Sequence, residues 1–308
     1  MLESEPEGHP MNPIVECVPN FSEGRRQDVI DRIVRAMHEV PGVRLLDIQS
    51  DADHNRSVVT ALGAPQELAE MAFRGIEAAA ELIDLDHHRG GHPRMGAMDV
   101  VPFVPVRGVT MQDCVVLARQ LGERVGRELR IPVYLYEEAA ARPERRDLAS
   151  VRRGEYEGIK AEIATNPDRR PDYGPAELGT AGATAIGARA PLIAFNAYLN
   201  TGNVAHAKAI ARAIRGSSGG LRCVKAMGLL VEGHAQVSMN LTDFRQTPIH
   251  RVVEMIRSEA ARNGLAITRC EVVGLVPARA LLDAAEFYLQ LHGMAQEQIL
   301  ENRLRDEG

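Results

Sequence analysis

Ile14-Val15-Glu16-Cys17-Val18 is apolar at four of its five positions and stops at the turn residues Pro19-Asn20, the pattern of a short buried strand. Downstream, Val29, Ile30, Ile33, Val34 and Met37 recur at helical spacing, and Pro41-Gly42 closes that helix. Val43 to Ile48 and Ser57 to Leu62 then read as strands on either side of the polar stretch Gln49 to Arg56. A long helix over Gln66 to Ile83 starts behind Pro65, and Val100 to Val106 is a further strand. The resulting order, β-α-β-β-α-β, is a split β-α-β unit whose antiparallel sheet carries helices on one face. A helix over Thr110 to Leu129 and a strand over Val133 to Tyr136 extend it.

The same order returns in the second part of the chain. Strands at Leu192 to Tyr198, Cys223 to Val231, Gln236 to Phe244 and Ile267 to Val276 alternate with helices at Val204 to Ile214 and Ile249 to Asn263, and a last helix covers Ala278 to Leu291. Only element order repeats, not residues. The expected fold is α+β, an α/β sandwich of two subdomains, residues 12–190 and 191–304, each a ferredoxin-like split β-α-β unit with a mixed or antiparallel sheet covered by helices. Ala140 to Pro175, rich in Arg, Pro, Gly and Asp, passes into the small-residue run Gly179 to Gly187 and reads as the segment between them. A cleft between packed domains is where a small-molecule site is expected.

Composition narrows the function. Of 308 residues, 45% are hydrophobic and 25% charged, which excludes disordered, collagen-like and coiled-coil chains. No apolar run approaches the ~18 to 20 residues of a membrane span, and the polar, acidic Met1 to Pro10 is unlike a signal peptide, so a cytoplasmic protein away from the membrane is expected. A net charge of -6, 4% aromatics and no Trp argue against nucleic acid as a partner. Cys17, Cys114, Cys223 and Cys270 lie far apart and read as buried thiols rather than a disulfide or zinc framework. The basic residues are almost all Arg, with Lys only at 160, 208 and 225, which on the surface reads as codon bias.

Two polar stretches can carry chemistry. In Asp84-Leu85-Asp86-His87-His88-Arg89-Gly90-Gly91-His92-Pro93-Arg94-Met95-Gly96, three histidines fall in six positions. A metal site and a general acid/base are both open readings; the spacing fits no familiar zinc pattern, and Arg89 and Arg94 would place fixed positive charge beside a cation, so no metal is expected. His87 and His88 read as helix-end residues facing solvent or the dipole. His92, between a glycine that allows close approach and a proline that stiffens the loop, fits that description least and suits proton transfer near neutral pH. In the second stretch, Asp51-Ala52-Asp53-His54-Asn55-Arg56, an Arg beside an Asn can grip a carboxylate, while a solvated turn accounts for the same residues.

Val15-Glu16-Cys17-Val18-Pro19-Asn20-Phe21-Ser22-Glu23-Gly24 resembles the opening of the glutamate formimidoyltransferase family. The likeness continues through His54-Asn55-Arg56-Ser57-Val58, His92-Pro93-Arg94-Met95-Gly96-Ala97-Met98-Asp99-Val100, Arg153-Gly154-Glu155-Tyr156-Glu157 and Pro171-Asp172-Tyr173-Gly174-Pro175 to Val273-Gly274-Leu275-Val276-Pro277, spanning roughly residues 13 to 291. The resemblance implies a two-subdomain transferase, commonly a homodimer. It moves the formimino group of N-formimino-L-glutamate to tetrahydrofolate, usually polyglutamylated, in histidine breakdown, giving 5-formiminotetrahydrofolate and L-glutamate. The family's catalytic histidine falls on His92. Its folate loop falls on Gly174-Pro175-Ala176-Glu177-Leu178-Gly179-Thr180-Ala181-Gly182. Asn55, Arg56 and Arg94 are the candidates for the glutamate carboxylates on charge and location. A chain of this length is expected to leave the ammonia-releasing cyclodeaminase step to a separate protein.

Chemically, folate N5 attacks an amidine carbon and the glutamate nitrogen leaves; one histidine between the two nitrogens can accept a proton and return it. Vertebrate members carry an aspartate where Gln49 stands and a Trp where Ala181 stands, in a loop one residue longer. Asp51 and Asp53 are the nearby carboxylates. Formyl transfer between 5-formyltetrahydrofolate and glutamate, a folate-binding module without turnover, and a metal hydrolase using His88 and His92 are the rival readings.

Overall fold

The computed structural model describes residues 13–293 and 298–305. The chain forms two compact units, one ending at Ala190 and the other beginning at Pro191. The first contains β1 (Ile14–Cys17), β2 (Asn20–Phe21), α1 (Gln27–His38), β3 (Arg44–Asp51), β4 (Arg56–Gly63), α2 (Pro65–Leu82), β5 (Met98–Arg107), α3 (Met111–Arg124), β6 (Val133–Glu137), α4 (Leu148–Val151), α5 (Glu155–Glu162) and β7 (Thr184–Ala188). Among the described residues its strands make one sheet in the order β1-β4-β2-β5-β7-β6, with β3 beside β4. β1 and β2 together act as the middle strand, antiparallel to both β4 and β5. This is the arrangement expected of a split β-α-β unit.

α1 follows from its sequence: Val29, Ile30, Ile33 and Met37 form one buried stripe. Proline at the first position of α2 costs no hydrogen bond there. α3 opens on a reciprocal cap between Thr110 and Asp113. The single helix expected over Thr110 to Leu129 changes character at Val125, where Val125–Leu129 widens into a π-helical turn that ends on left-handed Arg130. There the backbone of Gly126 meets that of Gly174, so closely that a Cβ would lie 2.5 Å from the Gly174 nitrogen.

The segment expected to join the subdomains is instead part of the first one. It holds α4, α5 and β7, and β7 lies between β5 and β6, parallel to both. Thr184-Ala185-Ile186-Gly187-Ala188 is buried at every position, so it shows no alternation and its small residues imitate a loop. Gly187 is required, because a Cβ there would stand 2.5 Å from the Tyr136 ring.

The second unit contains β8 (Ile193–Leu199), α6 (Val204–Ile214), β9 (Val224–Val231), β10 (His234–Leu241), α7 (Ile249–Ala261), β11 (Ile267–Val273) and α8 (Ala278–Leu289). Its antiparallel sheet runs β11-β8-β10-β9, the same spatial order as the split unit of the first half. β10 stops three residues short of Phe244, because Asp243 turns the chain by accepting from the Arg245 N–H at 3.0 Å. β11 stops at Val273 before left-handed Gly274. Each unit has a hydrophobic core of its own. Cys17 and Cys114 are buried as expected; Cys270, on the edge strand β11, is exposed. Among the described residues no helix is long and apolar enough to cross a membrane.

Candidate active site

The two polar stretches meet. The β3–β4 hairpin carries Asp51 to Arg56 and the loop between α2 and β5 carries Asp84 to Ala97. Glycines let them approach: a Cβ on Gly90 would lie 2.3 Å from the His54 carbonyl oxygen, and one on Gly24 would lie 2.2 Å from that of Asp51. Gly91 N–H donates to the Asp53 carbonyl at 3.0 Å. Asn55 adopts the left-handed conformation (φ 50°), which asparagine tolerates better than most residues. Its side chain ties the turn together, Oδ1 accepting from Gly24 N–H at 2.9 Å and Nδ2 donating to the Arg89 carbonyl at 3.0 Å. Asn55 therefore shapes the site with both ends of its amide engaged.

His92 and Arg56 are joined directly, Arg56 Nη1 lying 2.5 Å from His92 Nε2. A guanidinium can only donate, so Nε2 is the acceptor and the ring is neutral, its proton on Nδ1. Burial above all, then the positive charges of Arg56 and Arg152, push the His92 pKa down to about 2. Burial and Arg152 also lower the pKa of Arg56, against the pull of Asp99 and Asp51. Among the described residues Arg56 makes no ion pair; its hydrogen bond goes to the neutral imidazole. A partly buried cation in that state is ready to receive an anion.

The other charges around the ring are matched within the protein. Asp99, buried at the start of β5, accepts from Met95 N–H at 2.8 Å and pairs with Arg152. Arg94, expected beside Arg56 as a carboxylate binder, is instead gripped by its own chain: its guanidinium donates to Glu155 at 3.0 Å and to both oxygens of Glu157 at 2.9 and 2.6 Å. Those bonds hold the Glu157 carboxyl down at about 2. Arg94 Nε also donates to His88 Nδ1 at 3.3 Å, and His88 Nε2 lies 3.1 Å from the Asn55 carbonyl. His88 is thus a buried link between the two stretches, not the solvent-facing helix end expected; burial lowers its pKa. His87 does face solvent, paired with Asp84. Each histidine of the loop points to a different partner, and among the described residues no group of three or more His, Cys, Asp and Glu could hold a metal ion.

His54 completes the cluster. Its backbone N–H and its Nδ1 each lie 2.8 Å from one oxygen of Asp51, and its ring stands edge-on to His92 with centroids 6.2 Å apart. Ser22, His54, Arg56, His92 and Asp99 are among the residues that line one narrow cleft. Gln49 hydrogen-bonds Asp47 at 2.9 Å. His54, Asp99 and Arg152 escaped the sequence reading. An i,i+3 Asp–His spacing was the available sign for the first; Arg152 and Asp99 meet across 53 positions and carried none.

The candidate folate loop abuts this cluster through its C-terminal end. Ala97 N–H donates to the Ala181 carbonyl at 2.8 Å, Ala183 N–H to the Met95 carbonyl at 2.9 Å, and Gly96 bridges Gly182. A Cβ on Gly96 would lie 1.9 Å from the Ala183 carbonyl oxygen, so only glycine fits. At the other end Gly174, at φ +81°, backs onto the Ile131 carbonyl. Between these anchors Leu178 is buried, while Ala176, Glu177, Gly179 and Thr180 are exposed.

Residues 14–189 match the formiminotransferase domain, N-terminal subdomain, and residues 194–304 match the formiminotransferase domain. The chain belongs to the formiminotransferase family. It is 50% identical over 298 residues to a glutamate formimidoyltransferase of Streptococcus pyogenes, covering 96% of this chain and 99% of the relative. One from Thermoplasma acidophilum is likewise 50% identical, over 294 residues, 94% of this chain and 97% of the relative. The formimidoyltransferase-cyclodeaminase of Mus musculus is 46% identical over 286 residues, 90% of this chain and 53% of its own. This member of the formiminotransferase family is accordingly an enzyme, and the His92 cluster sits wholly within the unit that matches the N-terminal subdomain.

Proposed function

We propose that the enzyme transfers the formimino group of N-formimino-L-glutamate to N5 of tetrahydrofolate, in histidine degradation, with His92 taking the proton that N5 gives up. The Arg56–His92 contact carries this reading. Formiminoglutamate brings two carboxylates, and Arg56 is a guanidinium whose hydrogen bond is spent on a neutral ring. A substrate carboxylate that engages Arg56 draws it off Nε2, exposes the lone pair beside the reacting carbon, and lifts one of the charges that suppress the basicity of His92. The base is thereby made available when substrate is in place. Arg94, committed to Glu155, Glu157 and His88, supports the loop that presents His92. Residues 174–182, exposed at Ala176, Glu177, Gly179 and Thr180 and pinned beside Met95 to Ala97, are assigned to folate. The proposed fit of the pterin differs from that in vertebrate members at Ala181.

The test is an assay of the purified protein with tetrahydrofolate and either N-formiminoglutamate or N-formylglutamate, with and without chelator. Product forms from the formimino donor and chelator has no effect. His92→Ala folds, by circular dichroism, and loses at least ~10²-fold in kcat; Arg56→Met raises KM for formiminoglutamate more than it lowers kcat. Turnover of the formyl donor alone overturns the reading.

A further inference from the structure

The transfer forms one bond, breaks another and relocates one proton. With the amidine reacting as its amidinium, the N5 lone pair bonds the formimino carbon while the C=N pair moves onto the terminal nitrogen. That pair then returns to re-form C=N, and the carbon–nitrogen bond to glutamate breaks with its electrons staying on the glutamate nitrogen. N5 has lost one hydrogen and the glutamate nitrogen has gained one. The group that takes the first proton starts neutral and the group that gives the second is charged when the nitrogen leaves; one histidine can do both in turn, or two can divide the tasks. The surroundings of His92 suit the neutral form, since burial, Arg56 and Arg152 all oppose a charge there.

We propose that His54, held by Asp51, is a second catalytic residue of this site, delivering the proton to the departing glutamate nitrogen while His92 accepts the one from N5. The assignment rests on the reaction proposed above. Both oxygens of Asp51 are spent on His54, one on its backbone N–H and one on Nδ1, each at 2.8 Å. That clamp fixes the ring, makes Nδ1 the donor to Asp51 and leaves Nε2 for the reaction. His54 lines the cleft that His92 lines, from its solvent side, with 41% of its side chain exposed. Burial acts to raise the Asp51 carboxyl, but the His54 backbone and ring outweigh it and hold the pKa below the ordinary aspartate range, so the carboxylate is present to support an imidazolium. The charged and titratable groups around His54 are Asp51 and Arg56 of its own hairpin, neighbouring Asp53, His92 of the facing loop, and Arg25, whose Nε donates to the Ala52 carbonyl at 2.7 Å. After each turnover one proton passes from His92 to His54 through solvent at the cleft mouth, restoring both.

The molecule supplies its own control. His87 pairs with Asp84 at the same i,i+3 spacing, at 3.0 Å, but its side chain is 86% exposed and is not among the residues that line this cleft.

The experiment is steady-state kinetics of the full-length protein with formiminoglutamate and tetrahydrofolate across pH. His54→Gln lowers kcat about 10²-fold and removes the alkaline limb of its pH profile, with both KM values within about three-fold of wild type. Asp51→Asn keeps the ring and moves that limb to lower pH. Added imidazole partly restores kcat to His54→Ala, an effect that a purely structural role cannot produce. His87→Gln behaves as wild type. An active wild type beside a His54→Gln enzyme of unchanged kcat and pH profile overturns the assignment and leaves the proposed function standing. A wild type inert toward both substrates overturns that function and the assignment with it.

Discussion

His92 refuses a proton in the folded chain that it would accept in the unfolded one. Its pKa drops from 6.5 to about 2, because a charge on the ring would be buried beside Arg56 and Arg152. Between those values the unfolded state binds more protons than the native state, so this residue's contribution to stability falls as pH falls below about 6.5. Replacing it with His92→Asn removes that contribution. Calorimetry of the variant should show a smaller loss of Tm between about pH 7.5 and about pH 5 than wild type suffers, each measured against its own value at the higher pH; an equal loss counts against the argument. His88 and His250, lowered in the same direction by burial, remain in both proteins and add to the residual slope. At this scale His92 and Arg56 were visible in the sequence because chemistry and loop position single them out. Arg94 looked like Arg56 there, and only its contacts with Glu155 and Glu157 part the two.

At the scale of elements, the candidate site depends on a short antiparallel contact between residues 95–97 and 181–183, which no strand periodicity announces. Gly96 is its tightest point. Gly96→Ala drives a Cβ into the Ala183 carbonyl, backbone against backbone, with no flexible side chain to yield. Urea denaturation should show a loss of about 2 kcal/mol or more, with activity lost beyond what the folded fraction explains, because the loop that presents His92 and the end of the 174–182 loop must part. A stability within about 0.5 kcal/mol of wild type would show that the contact is not needed. The amphipathic helices α1 and α2 and the half-buried strands were legible because one face of each is wet. β7 was not, since a strand buried on both faces between parallel neighbours has no polar face to alternate with.

For the whole molecule, two separate hydrophobic cores predict two separately foldable pieces. A fragment of residues 191–305 should unfold with a single cooperative thermal transition and give a dispersed amide spectrum, because Ile193, Phe195, Leu199, Val237, Val252 and Ile256 pack within it. A non-cooperative melt would mean that this core is insufficient alone. The repeated order of strands and helices, the α+β class and the family were all readable from the chain, because periodicity and contiguous motifs are local properties. Which charges stay unmatched was not. Arg56 differs from Arg94, His54 from His87 and Asp99 from any other aspartate only through partners tens of residues away, and burial and neighbouring charge, which set what those groups can do, exist only once the chain has folded.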